Sequence, residues 1–113
     1  MVKKFFVIGD QASKSLSPLI FNHWFKKYNI KAKYTYIEVE ETSFDKVLIN
    51  KLKDKTVFGF NITTPYKLKI TKHLDIQNVH AKNIGAVNCV IVGKKNKGIN
   101  TDWVGYLSSI KEK

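Results

Sequence analysis

Apolar and polar positions along the chain fall into short blocks with two different periods. Lys4 to Ile8 is a nearly continuous apolar run closed by Gly9-Asp10, which reads as a buried strand. After a polar loop, Ser17-Pro18 marks a helix start, with Ser17 as N-cap and Pro18 at the first helical position, where a missing N–H costs nothing. Leu19, Ile20, Trp24, Phe25 and Tyr28 then recur at helical spacing, predicting a helix to about Asn29 with these side chains on its apolar face. Tyr34 to Val39, rich in β-branched and aromatic residues, reads as a second strand. Thr42 or Ser43 caps a second helix, in which Phe44, Val47, Leu48 and Leu52 share one face.

Val57 to Ile62 reads as a third strand, and Pro65 as the opening of a short helix over Tyr66 to His73. A further short helix is predicted over Gln77 to Ile84, ended by Gly85. Val87 to Val92 is a fourth strand, Gly93 to Gly98 its turn, and Ile99 to Thr101 a short returning strand. Asp102 or a neighbour then caps a last helix reaching Lys113. Strands alternating with helices predict an α/β domain: an open, twisted, mostly parallel sheet with a late antiparallel hairpin and helices on both faces.

Length and composition narrow the class. At 113 residues the chain matches a single domain that can bury a core without metal or disulfide staples, and its 43% hydrophobic content excludes disorder. No apolar run approaches the ~18 residues of a membrane span, and the apolar start meets Gly9-Asp10 too early for a signal peptide, so a soluble, cytoplasmic protein is expected. Cys89 is the only cysteine, which excludes an internal disulfide and a cysteine-rich zinc site. The net charge of +11 invites a nucleic-acid reading. Against it, all 20 basic residues are lysines, scattered with no run longer than two, and arginine is the better fork for bases and phosphates. A solvated lysine-rich surface is the competing reading.

Polar side chains gather where strands end: Ser15 and Ser17 after the first, Asn61, Thr63 and Thr64 after the third, Asn88 at the fourth, and Asn100, Thr101 and Asp102 after the last. In open α/β sheets the ligand crevice lies outside the carboxyl ends of the strands, so these groups suit a small hydroxylated ligand. Each is equally at home as a cap or turn residue. Lys67 stands in the first turn predicted after Pro65, where a helix dipole disfavours a cation and eases deprotonation, as a general acid/base requires. Asp102 is its natural partner; the other reading of Lys67 is one exposed lysine among many. The glycines at 9, 59, 85, 93, 98 and 105 spell neither G-x-G-x-x-G nor a phosphate loop.

Four ordered segments resemble shikimate dehydrogenases. Ser15-Leu16-Ser17-Pro18-Leu19-Ile20-Phe21-Asn22 is similar to S-x-S-P-x-I-H-N, and Gly59 to Lys67 to G-x-N-[VI]-T-x-P-[YF]-K. Ala81 to Asn88 is similar to A-x-x-I-G-A-V-N, and Asn100 to Tyr106 to N-T-D-x-x-G-[FY]. Phe21 replaces the family's frequent histidine, and Cys89 a common threonine. The resemblance implies a substrate-binding domain over 1–103, with 104–113 opening an interdomain helix toward a Rossmann domain that carries NADP and is missing from this chain. It further implies that Ser15 and Ser17 hold a substrate carboxylate, and that Asn61, Thr63, Asn88 and Asp102 contact ring hydroxyls. Lys67 would be the catalytic lysine paired with Asp102, in reversible reduction of 3-dehydroshikimate to shikimate by NADPH, a step of aromatic amino-acid biosynthesis; the chain alone would be inactive or nearly so. The partners implied are a small-molecule substrate, with no nucleic acid, membrane or metal. A quinate/shikimate dehydrogenase and a non-catalytic basic ligand- or nucleic-acid-binding module remain the alternatives.

Overall fold

The computed structural model describes residues 1–101. Six strands, β1 (Lys3–Gly9), β2 (Ala32–Glu38), β3 (Val57–Ile62), β4 (Ile76–Gln77), β5 (Cys89–Ile91) and β6 (Lys97–Ile99), join in one sheet ordered β2-β1-β3-β5-β6-β4. β1 lies parallel between β2 and β3, with Val7 level with Tyr36 on one side and Asn61 on the other. β5 runs antiparallel to both β3 and β6, placing Asn61, Cys89 and Ile99 in one row, and β4 is parallel to β6. The expected mostly parallel α/β sheet with a late antiparallel hairpin is therefore present.

Alternation along β1 sends successive side chains to opposite faces. Phe6 and Ile8 join Phe60, Ile62, Tyr66 and Ile70 in the main core, covered by Phe44 and Leu48 of α2 (Glu41–Lys53). Phe6 stacks on Phe60 at 4.6 Å and Phe44 on Tyr66 at 4.3 Å. Val7, Ala12 and Tyr34 form a smaller core on the other face under Phe21 and Phe25 of α1 (Ser17–Lys27). The expected apolar face of α1 is corrected here: Leu19, Ile20, Trp24 and Tyr28 are exposed, and of the expected set only Phe25 packs toward the sheet, joined by Phe21 one turn before it. Periodicity pointed to a single apolar face, but the helix carries apolar residues on more than one side, and which side is buried depends on what the sheet offers.

Helix starts also shift. Leu16, not Ser17, is the N-cap of α1, and Glu40, not Thr42 or Ser43, that of α2. The helix expected over Tyr66 to His73 is absent: Pro65 follows a cis peptide bond in a turn, and only a 3₁₀ segment, Lys69–His73, comes after it. Tertiary bonds claim this stretch, since Tyr66 Oη donates to Val39 O at 2.7 Å and Lys67 O accepts from Val87 N at 2.9 Å. Gln77 belongs to β4, and α3 (Val79–Ile84) begins instead at Asn78, whose Oδ1 accepts from Ala81 N at 2.8 Å. Gly85 closes α3 at φ 79°, the left-handed position that glycine fills most cheaply. Among the described residues no helix is long and apolar enough to cross a membrane.

Candidate functional site

One edge of the sheet collects the polar residues. β1 and β3 end there, β6 ends there, and β5 begins there because it runs the other way. Asn88 therefore reaches this edge at the start of an antiparallel strand, not at the end of a parallel one. Gly9 lets the loop after β3 cross the end of β1: a side chain there would collide with the Thr63 methyl, and Thr63 N donates to Ile8 O at 3.0 Å. Thr63 is thus held over the end of β1.

Ser15 Oγ accepts from Ser17 N at 3.2 Å, which leaves its O–H to donate outward. Ser17 is the first residue of α1, whose positive end suits an anion. Asn61 and Asn88 are side by side: Asn61 Nδ2 approaches Asn88 O at 3.5 Å, and that carbonyl also accepts from Ile62 N at 2.9 Å. Asn88 is buried, and its amide grips Thr101, with Oδ1 accepting from Thr101 N at 2.9 Å and Nδ2 donating to Thr101 Oγ1 at 2.8 Å. Asn88 thereby orients the backbone that leads into residue 102, and one Nδ2 hydrogen is left for a ligand. Asp102 itself lies outside the described residues.

Lys67 stands in the turn between Pro65 and the 3₁₀ segment. The expectation that a helix dipole acts on its amine is corrected, because no α-helix starts there. Lys67 is partly buried, as are Lys51 and Lys69, while the other described lysines are exposed. The Lys67–Val87 backbone bond sets this turn one residue from Asn88. The scaffold beneath is firm, with Lys69 Nζ donating to Glu41 O at 3.0 Å and His73 Nε2 to Asp45 Oδ1 at 2.7 Å.

Sequence reasoning missed Tyr34. Its phenol donates to Asn61 Oδ1 at 2.7 Å, and burial pushes its pKa up to about 12, against a lowering hydrogen bond from the Ser17 side chain and a small added rise from Cys89. The phenol thus touches two residues, Ser17 and Asn61, that the sequence had flagged separately. A buried tyrosine needs a partner for its hydroxyl, and that rule was the signal available in a strand otherwise read only for its β-propensity. The Cys89 thiol is raised by burial, as befits a strand residue beside this edge rather than a nucleophile.

Residues 7–90 match the family model described as the shikimate dehydrogenase substrate binding domain. The chain belongs to this family. Among curated relatives, a shikimate dehydrogenase (NADP(+)) of Staphylococcus epidermidis is 41% identical, covering 99% of this chain and 42% of the relative. One of Clostridium perfringens is 41% identical over 93% of this chain and 39% of its own length. The chain thus spans about two fifths of these relatives. Among solved structures, shikimate 5-dehydrogenase from Listeria monocytogenes in complex with shikimate and NAD superposes with a TM-score of 0.90 at 29% identity, covering 98% of this chain and 38% of that one. The described residues offer no dinucleotide cradle. The turn after β1 runs Gly9-Asp10-Gln11-Ala12 into a 3₁₀ segment, with a carboxylate where a pyrophosphate would need paired glycines. Nor do they group three or more His, Cys, Asp or Glu side chains that could hold a metal.

Proposed function

We propose that this chain is the substrate-binding and proton-transferring part of an NADP-dependent shikimate dehydrogenase, with residues 1–103 as the substrate domain and 104–113 leading toward a cofactor domain. The observation that carries this reading is the meeting of Asn61, Thr63, Asn88 and the Lys67 turn at one sheet edge, within a family-model match. NADP is held outside this stretch and supplies the hydride.

Ser15 and Ser17 donate hydroxyl hydrogens to the substrate carboxylate beside the positive end of α1. Asn61, Thr63, Asn88 and Asp102 bond the ring hydroxyls. The Lys67 ammonium gives its proton to the keto oxygen of 3-dehydroshikimate as that oxygen becomes a hydroxyl, and the amine takes it back in the reverse direction. Asp102 holds the lysine. The long reach from Ser15 to Thr101 in sequence means that the pocket forms only in the folded chain.

Titrating this chain with shikimate to millimolar concentration tests the reading by NMR: amide shifts near Ser15, Asn61, Thr63 and Asn88 are expected, and their absence overturns it. In the full-length enzyme, Lys67→Ala is expected to lower kcat by about two orders of magnitude or more, the usual weight of a positioned acid/base group. Near wild-type turnover removes Lys67 from that role. Quinate run as the competing substrate in the same assay separates the two preferences.

A further inference from the structure

A half-buried asparagine at the end of a strand can meet a ligand with its carbonyl or with its NH₂, and the choice sets what it recognises. At Asn61 two neighbours decide. Nδ2 lies 3.5 Å from Asn88 O, a backbone carbonyl that only accepts, and Oδ1 lies 2.7 Å from the Tyr34 hydroxyl. Turning the amide over would set two acceptor oxygens against each other at Asn88.

Tyr34 is itself held on every side. It is 3% exposed, and its ring stacks on Phe21 at 4.8 Å and 11°. Its backbone is gripped by one side chain: Asn22 Oδ1 accepts from Tyr34 N at 2.8 Å, and Asn22 Nδ2 donates to Tyr34 O at 2.7 Å. β2 is an edge strand of the sheet, and the Asn22 amide of α1 stands where a further strand would pair.

We infer that Tyr34, its backbone clamped by Asn22, is a positioning residue for substrate: its phenol locks the Asn61 amide with Nδ2 as a hydrogen-bond donor to a substrate ring oxygen. The inference rests on the proposed role of Asn61 as a substrate contact and adds the direction of that contact and the residue that imposes it. It assigns Asn22, within the first of the four sequence motifs, the task of holding the Tyr34 backbone in place.

Steady-state kinetics of the full-length enzyme test it. Tyr34→Phe frees the amide to rotate and is expected to raise the KM for shikimate about tenfold with kcat within about twofold, the scale of one buried hydrogen bond. Asn61→Asp keeps an acceptor for the phenol but has no donor, so its KM should rise as far as that of Asn61→Ala. In an Asn61→Ala background, Tyr34→Phe should cost clearly less than in the wild type, because no amide is left to orient and only the phenol's effect on Ser17 remains. An equal cost of Tyr34→Phe in both backgrounds overturns the inference, since the phenol would then act directly or through the fold at large. A wild-type KM in Asn61→Asp overturns the donor direction, and this variant leaves the core intact should Tyr34→Phe fail to fold. If the wild-type enzyme does not turn over shikimate, the functional reading falls and the inference with it; an active wild type with an unchanged KM in Tyr34→Phe sinks the inference alone.

Discussion

Tyr34 and Tyr66 show how single buried hydroxyls tie separate stretches together. The Tyr34 pKa, pushed up to about 12 by burial, means that the folded chain keeps this proton where an unfolded tyrosine, near 10, has lost it. Its contribution to stability is present below pH 10 and lost as pH rises from about 10 to about 12. An alkaline titration of tyrosinate absorbance should therefore show Tyr34 and Tyr66, both raised by burial, ionising after the other tyrosines, and Tyr34→Phe should remove the step near 12. If all tyrosines of the native chain titrate together, the phenol is not held as described. Tyr66 is 1% exposed and donates to Val39 O, so Tyr66→Phe strands a buried carbonyl. A loss of about 1–2 kcal/mol is expected in urea unfolding, as a lower midpoint at unchanged slope. At this scale the sequence showed which residue types could carry chemistry, as at Asn61 and Lys67, but not that Tyr34 stands between Ser17 and Asn61. Those contacts span 17 and 27 positions and exist only once β2 lies beside β1.

The elements differ in how far their local sequence decides them. β1, β3 and α3 follow their patterns because apolar runs, an Asn cap and a closing glycine all point the same way. The stretch after Pro65 does not, because the Tyr66 side-chain bond to Val39 O and the backbone bond of Lys67 O to Val87 N outcompete the helix that propensity favours. The resulting 3₁₀ segment is fastened to α2 through Asp45, which receives His73 Nε2 at 2.7 Å and Lys72 Nζ at 3.0 Å. The hydrogen bond from His73, then that from Lys72, holds the Asp45 carboxyl below its ordinary value. A lowered carboxylate stabilises the fold above its unfolded pKa, and that stabilisation is lost as pH falls through the folded one. The acid limb of a thermal-midpoint profile should thus be flatter in Asp45→Asn than in the wild type, with the two converging below the carboxylate range. Identical acid limbs would show that the link contributes nothing to holding the 3₁₀ segment on α2.

For the whole molecule, the +11 charge is carried by lysines that, among the described residues, are mostly exposed and scattered over β1, α1, β2, α2, α3, β6 and the loops between elements, with none in β3, β4 or β5. Such a surface attracts anions without recognising them, and it favours encounter with a carboxylate substrate. Binding to duplex DNA is expected to be weak and to vanish across a salt series up to physiological ionic strength; tight, steeply salt-dependent binding under those conditions would instead support a nucleic-acid module. The sequence by itself determined the α/β class, the succession of strands and helices up to β3, the family's four motifs and the residue types of the candidate site, because these depend on local period, on turn chemistry and on side-chain identity. Only the tertiary structure decided which face of α1 is buried, that Asn88 meets Asn61 through an antiparallel strand, that the Lys67 turn replaces a helix, and that Asn22 and Tyr34 orient Asn61. Each of these depends on pairing between segments far apart in the chain, where the bond lost locally is offset by one gained across the sheet, and no local pattern records that exchange.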